Sequence, residues 1–141
     1  MVGLFKKMQK NKLLSIQCLS LADIGMAFYT YYALSNFEEF KKILNASGMS
    51  SPDFQLQIYK VFLQTLIFTS VLLIGFHLII YYLFYQDKKF ARMYVRYYSL
   101  LAALSMLIST WAVSQTILII PTVIYFLGFY YSTKVTSKTT A

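Results

Sequence analysis

The sequence predicts an all-α, polytopic integral membrane protein with four transmembrane helices, and three observations carry that reading. Of 141 residues, 58% are hydrophobic and 13% charged, where a soluble domain carries about 25% charged residues. A chain this small cannot hide so much apolar surface from water. Four apolar segments, about 13–35, 58–85, 93–113 and 116–131, approach the ~20 residues that a helix needs to cross ~30 Å of hydrocarbon. The Lys and Arg residues gather beside those segments instead of striping one soluble face, so the net charge of +8 points to membrane topology and anionic headgroups, not to nucleic acid. Disorder is excluded by the apolar content. A disulfide scaffold is excluded by the single cysteine, Cys18.

The elements follow in order. Residues 1–12 form a basic cytoplasmic N-terminus, 13–132 a four-helix transmembrane domain, and 133–141 a polar cytoplasmic tail. The first apolar stretch is too long for a signal peptide and contains Asp23, so it is expected to be retained. Val2 follows the initial Met, which gives no myristoylation signal. In the first outer loop, Phe37, Phe40, Ile43 and Leu44 recur at helical spacing, with Glu38 and Lys42 as a favourable i,i+4 pair. Span one therefore continues as helix, or bends into an interfacial helix, to about residue 45. Asn45, Ser47, Gly48, Ser50, Ser51 and Pro52 then break it, and the next helix is expected to begin soon after Pro52. Asn45-Ala46-Ser47 fits the short and common glycosylation pattern. The connection Gln86–Arg92 is short, and only Ser114 and Gln115 separate the last two segments. Spans two and three, and spans three and four, are therefore antiparallel neighbours.

Orientation comes from the basic residues. Lys6, Lys7, Lys10, Lys12, Lys88, Lys89, Arg92, Arg96, Lys134 and Lys138 fall on one side, and Lys41, Lys42 and Lys60 on the other. This bias places both termini in the cytoplasm, in the plasma (inner) membrane, with anionic lipid headgroups as partners on that side. Tyr81, Tyr82, Tyr85, Tyr94, Tyr97, Tyr98, Tyr130 and Tyr131 fall near the inner interface, and Tyr29, Tyr31, Tyr32 and Trp111 near the outer one. They read first as an anchoring belt and second as a tyrosine-lined binding surface.

An ionisable residue inside a span is costly and marks a candidate site. Asp23 is the only charge deep in a span, roughly 16 Å beyond Lys12 at 1.5 Å per residue, and His77, the only histidine, lies roughly 15 Å before Asp87. Their depths match, although depth gives no rotation about the helix axis. Three readings stay open: a proton or ion relay, a buried pair that fixes packing, or a protonated Asp23 bonded to Ser105 or to backbone freed by Pro121. Ser20 shares the Asp23 stripe. Ala102, Ser105, Ser109 and Ala112 form a small-residue stripe suited to close helix packing. Gly75 and Gly128 are expected at close helix contacts.

Catalysis has little to work with. The chain has no HExxH, CxxC, GxSxG or phosphate-cradling glycine loop, and one His with one Cys makes no self-contained zinc site. No enzyme activity, metal or cofactor is expected. The first functional expectation is a non-catalytic membrane subunit that associates with itself or with other membrane proteins. The alternative is an ion- or proton-coupled transporter or channel subunit with its path at Asp23 and His77.

Overall fold

The computed structural model describes residues 2–46, 48, 51–113 and 116–135; the side chains of residues 2–6, 39, 43, 112 and 113 lie outside that description. Among the described residues five α-helices follow one another: α1 Val2–Leu34, α2 Phe37–Ala46, α3 Pro52–Tyr85, α4 Lys89–Val113 and α5 Ile119–Thr133, the last preceded by a 3-10 turn at Thr116–Leu118. Among the described residues there is no strand. Among those residues three helical segments, Lys7–Leu34, Pro52–Tyr85 and Thr116–Thr133, are long and apolar enough to cross a membrane. The chain is therefore a membrane protein by length and composition of its helices.

Helix α1 starts well before residue 13. Nothing in Lys6–Lys12 breaks a helix, since Lys, Gln and Met propagate it well, so the basic N-terminus is its first three turns. At 33 residues it is about 50 Å long, longer than the hydrocarbon is thick, so its basic end projects from the apolar layer or the helix tilts. Lys12 turns inward and is 4% exposed. Its ammonium meets Asp87 Oδ2 at 2.5 Å and donates to the Tyr85 carbonyl at 3.3 Å.

That pair fixes the α3–α4 corner. Helix α3 ends in a Schellman arrangement, with Asp87 N–H donating to the Phe84 carbonyl and Lys88 N–H to the Leu83 carbonyl, each at 3.1 Å. The turn needs a left-handed residue, and Asp87 supplies it at φ 67°. Asp tolerates that region better than most residues, and here its carboxylate is also the anchor for Lys12.

Helix α2 is separate from α1, because Ser35 and Asn36 leave the helical path. The Asn36 side chain accepts from the Glu38 N–H at 3.1 Å and caps the new helix. Its apolar face turns onto the start of α3. Phe37 and Phe40 pack on Tyr59 at 5.0 and 5.2 Å between centroids, and Phe40 stacks on Phe62 at 5.2 Å. Tyr59 donates to the Ser35 carbonyl at 2.5 Å, and Gln55 Nε2 to Asn45 Oδ1 at 2.6 Å. Ser47, which completes the glycosylation pattern, lies outside the described residues.

The four long helices form a ring in which α1 touches α3 and α5, and α4 touches the same two. Ser114 and Gln115 lie outside the described residues, but the helices on either side of them pack along each other. On α4 the inward face is Ala91, Val95, Ser99 and Ala103, all fully buried. The expected packing stripe does not form this inward face: Ser105 is exposed, Ala102 and Ser109 are half-buried, and the Ala112 side chain lies outside those described. Four-residue steps from Ala91 reach Ala103, not Ser105.

Pro121 does not interrupt a helix. The α-helix begins only after Leu118, following the 3-10 turn, so Pro121 falls in the first turn of α5, where a missing N–H costs little. Thr122 Oγ1 donates to the Leu118 carbonyl at 2.8 Å. At the other end of α5, Arg96 donates to the carbonyls of Ser132 at 3.3 Å and Val135 at 2.7 Å, a cation placed where the helix dipole favours it.

Packing is uneven along the bundle. The buried residues of α3 are Gln55 and Tyr59 at its start and His77, Ile80, Tyr81 and Phe84 near its end. Between Lys60 and Phe76 none is buried. The half nearer the basic end is close-packed and the other half is loose.

Candidate functional site

The close-packed half is built around one carboxylate. Asp23 sits on the inward stripe of α1 with Lys12, Ser15, Leu19 and Ala22, and is 8% exposed. Its Oδ2 accepts from the Tyr81 hydroxyl at 2.5 Å and lies 2.9 Å from His77 Nδ1. Its Oδ1 accepts from the Tyr98 hydroxyl at 2.5 Å and the Tyr125 hydroxyl at 2.8 Å. His77 and Tyr81 belong to α3, Tyr98 to α4 and Tyr125 to α5. One side chain thus bonds to all three other long helices.

Hydrocarbon offers no hydrogen bonds, so an ionised carboxylate there must find its donors within the protein. Four donors on two oxygens fill most of its acceptor capacity. With Asp23 ionised, His77 Nδ1–H donates to it, and the ring's other nitrogen lies 3.0 Å from the Tyr94 hydroxyl. Both ring nitrogens therefore face oxygen. The Tyr94 hydroxyl donates to a neutral ring and accepts from a protonated one, so either charge state of His77 is hydrogen-bonded. The imidazole also packs on Tyr98 at 4.3 Å between centroids, and Tyr98 stacks on Tyr94 at 5.7 Å.

The other expected site residues lie elsewhere or play smaller parts. Ser20 is half-buried and borders a small gap beside Asp23 and His77, without a hydrogen bond to either among the described residues. Ser105 is exposed on α4 and does not reach the carboxylate. Pro121 lines an apolar groove between α1 and α5. The rival in which a protonated Asp23 bonds to Ser105 or to backbone near Pro121 is thus not the arrangement present.

The tyrosines are what the sequence reading misplaced. Tyr81 is 2% exposed and its neighbour Tyr82 is 62% exposed, so adjacent rings at one depth serve the interior and the lipid. Tyr94 and Tyr98 also turn inward, while Tyr85, Tyr97 and Tyr130 are exposed and fit an interfacial belt. Tyr125 stood out in no pattern. One signal was present: Tyr81 follows His77 by four residues and Tyr98 follows Tyr94 by four, the spacing of one helix face.

A cavity of about 150 Å³ opens from this cluster into the loose half of the bundle. Its polar lining is Asp23 and Thr30 from α1, Ser70 from α3, Tyr98 from α4 and Tyr125 from α5; the remaining walls are aliphatic side chains and Met26. Thr30 follows Asp23 by seven residues and Ser70 precedes His77 by seven, so both stand about 10 Å from the cluster on the side away from Lys12. Among the described residues, no three of His, Cys, Asp and Glu gather as a metal centre of those ligands would need. Comparison with known protein families, with characterised proteins and with solved structures returns no match to this chain.

Proposed function

We propose that the chain is a four-span protein of the plasma (inner) membrane that takes part in ion- or proton-coupled transport along a path past Asp23 and His77. The supporting observation is the hydrogen-bonded series from Asp23 through His77 to Tyr94, which meets a mostly apolar cavity bordered by Asp23, Thr30 and Ser70 at its Asp23 end. A clasp that served packing alone would not need the cavity. In this reading α4 is the fourth span. Its charges, Lys89, Arg92 and Arg96, lie in its first two turns, and Tyr97–Val113 is free of charge and about 25 Å long. No catalytic step is assigned to the cluster.

Purified protein in vesicles under a pH gradient tests the path. Wild-type protein is expected to dissipate the gradient, and Asp23→Asn, which keeps the side-chain volume and one acceptor, to abolish the flux while the protein still elutes as wild type does. A wild-type chain that carries no protons, or an Asn variant that carries them undiminished, overturns the reading.

The same proposal places both termini in the cytoplasm, where Lys7, Lys10, Lys88 and Lys89 stand exposed at one end of the bundle and meet anionic headgroups. With Cys18 replaced by Ala, a cysteine at Lys10 or Thr133 is expected to resist impermeant reagent in intact cells, and one at Ser51 to react. The opposite pattern refutes the orientation. Association with copies of itself or with other membrane subunits is part of the proposal, because the outward-facing Ser105 and half-buried Ser109 leave small residues on a face where another helix can approach closely. Mass measurement in native detergent or nanodiscs reads the stoichiometry.

A further inference from the structure

We infer that the Lys12–Asp87 ion pair is the gate at one end of the path past Asp23, closed here while the other end stands open, and that α1 swings about Asp23 when the pair parts. The inference rests on the transport reading above and names the contact that regulates its site.

The two ends of the path differ. On the Thr30 side of Asp23, a cavity of about 150 Å³ reaches Thr30 and Ser70, both half-buried, and no residue of α3 between Lys60 and Phe76 is buried. On the Lys12 side the long helices close on one another. Leu19 and Ser15 of α1, Phe84 of α3 and Val95 of α4 are fully buried, and Gly128 of α5 comes against Leu19. A path that passes a fixed site, open toward one side and sealed toward the other, is one of the two states of alternating access.

The seal ends in a polar contact at the water's edge. Lys12 is the only buried Lys or Arg among the described residues. It pairs with Asp87 Oδ2 at 2.5 Å and donates to the Tyr85 carbonyl at 3.3 Å. One turn deeper, Ser15 Oγ donates to the Gly128 carbonyl at 2.9 Å. These bonds tie the end of α1 to the α3–α4 corner and to α5. For packing alone an apolar side chain at position 12 would serve as well or better, because a buried ammonium gives up its water and recovers that loss only through its partners. A gate has another requirement, that its closed and open forms lie close in free energy. The pair meets it. The Asp87 side chain is 47% exposed, and α1 runs on past Lys12 with Lys7 and Lys10 exposed. Both charges therefore return to water when α1 leaves the corner, and neither is stranded in hydrocarbon.

The lever and its pivot are also present. Asp23 bonds to α3, α4 and α5 and holds α1 at mid-length. Lys12 stands about 16 Å to one side of it and Thr30 about 10 Å to the other, at 1.5 Å per residue. As a rigid helix turning there, α1 opens the Lys12 side and narrows the cavity at Thr30 in one movement.

Cysteine reactivity in nanodiscs, where a water-soluble maleimide reaches both faces, tests this with Cys18 replaced by Ala. A cysteine at Thr30 is expected to react and one at Ser15 to resist. Asp87→Asn removes the ion pair and keeps a residue type that tolerates the left-handed corner at φ 67°. Lys12→Met removes the pair from the α1 side and serves if the Asn variant does not fold. Breaking the pair is expected to speed labelling at Ser15→Cys about tenfold and to slow it at Thr30→Cys, since each rate follows the fraction of molecules open at that end. Loosened packing would speed both. Any pattern other than these opposed changes, whether unchanged rates or a rise at both positions, overturns the gate. The two readings fail separately. Proton flux through the wild type without opposed changes in the variants removes the gate and leaves the relay, while opposed changes without wild-type flux remove the relay and leave the two-state bundle.

Discussion

Asp23→Leu is expected to lower the stability of the folded bundle by about 3–5 kcal/mol, the cost of removing one member of a buried charged group and leaving its partners uncompensated. Leucine fits the apolar surroundings of α1 and is a good helix former, so lost volume and helix propensity do not explain a deficit. What disappears is the acceptor for Tyr81, Tyr98, Tyr125 and His77. Lipid tails are as apolar as leucine, so helices in a bilayer are not driven together by exclusion from water and interhelical hydrogen bonds carry more of the specificity. Asp23→Asn keeps one acceptor oxygen and is expected to lose less than Asp23→Leu. Unfolding in mixed micelles, followed by loss of helical signal against denaturant, ranks the three proteins. Equal stability of wild type and Asp23→Leu would show that the four hydrogen bonds do not hold the helices together.

The sequence speaks clearly about depth and poorly about direction. Counting 1.5 Å per residue from Lys12 and from Asp87 put Asp23 and His77 at one level, and the structure has them in contact at 2.9 Å. The same count put Tyr81, Tyr94 and Tyr98 at the inner interface, where tyrosine is ordinarily an anchor. In the structure their hydroxyls meet Asp23 and His77 instead, and the missing quantity was the angle about each helix axis. That angle is set by which face each helix turns to its neighbours, and in a membrane chain apolar residues cover every face, so periodicity fades. Ser105, expected within reach of Asp23, faces outward for the same reason. Spacing alone did not tell the stripe Ala102, Ser105, Ser109 and Ala112 from the buried series Ala91, Val95, Ser99 and Ala103. Where one face was polar the reading was sharper: Phe37, Phe40 and Leu44 against Glu38, Lys41 and Lys42 marked α2 at Phe37–Ala46. Pro121 was misplaced because the helix was assumed to start before it. The 3-10 turn at Thr116–Leu118 delays α5 until the proline stands in its first turn.

Gly128→Val is the second large effect expected, and it concerns how close α1 and α5 come. A Cβ at Gly128 would stand 2.6 Å from Leu19 Cδ2 and 2.8 Å from Leu19 Cγ. Leu19 is fully buried, so its side chain has no open rotamer to retreat to and the helices must separate. Separation would also lengthen the bond from Ser15 Oγ to the Gly128 carbonyl, now 2.9 Å. Overpacking of this kind costs about 1–3 kcal/mol, and valine adds a branch that the same contact rejects. The effect is not general to glycine in this chain. A Cβ at Gly25 or Gly75 meets nothing within 4 Å, which corrects the expectation that Gly75 marks a close contact. Gly25→Ala and Gly75→Ala are expected to leave stability unchanged or to raise it by up to about 1 kcal/mol through helix propensity. The three variants, unfolded side by side, separate a glycine needed for approach from glycines that are merely tolerated. Asp23 lies one helical turn beyond Leu19 on the same face of α1, so any parting of α1 from α5 also stretches the bond between Asp23 and Tyr125. In Gly128→Val the loss of stability is therefore expected to come with a loss of proton flux, whereas Gly75→Ala keeps both. A Gly128→Val protein as stable as wild type would mean that α1 and α5 do not meet at this distance.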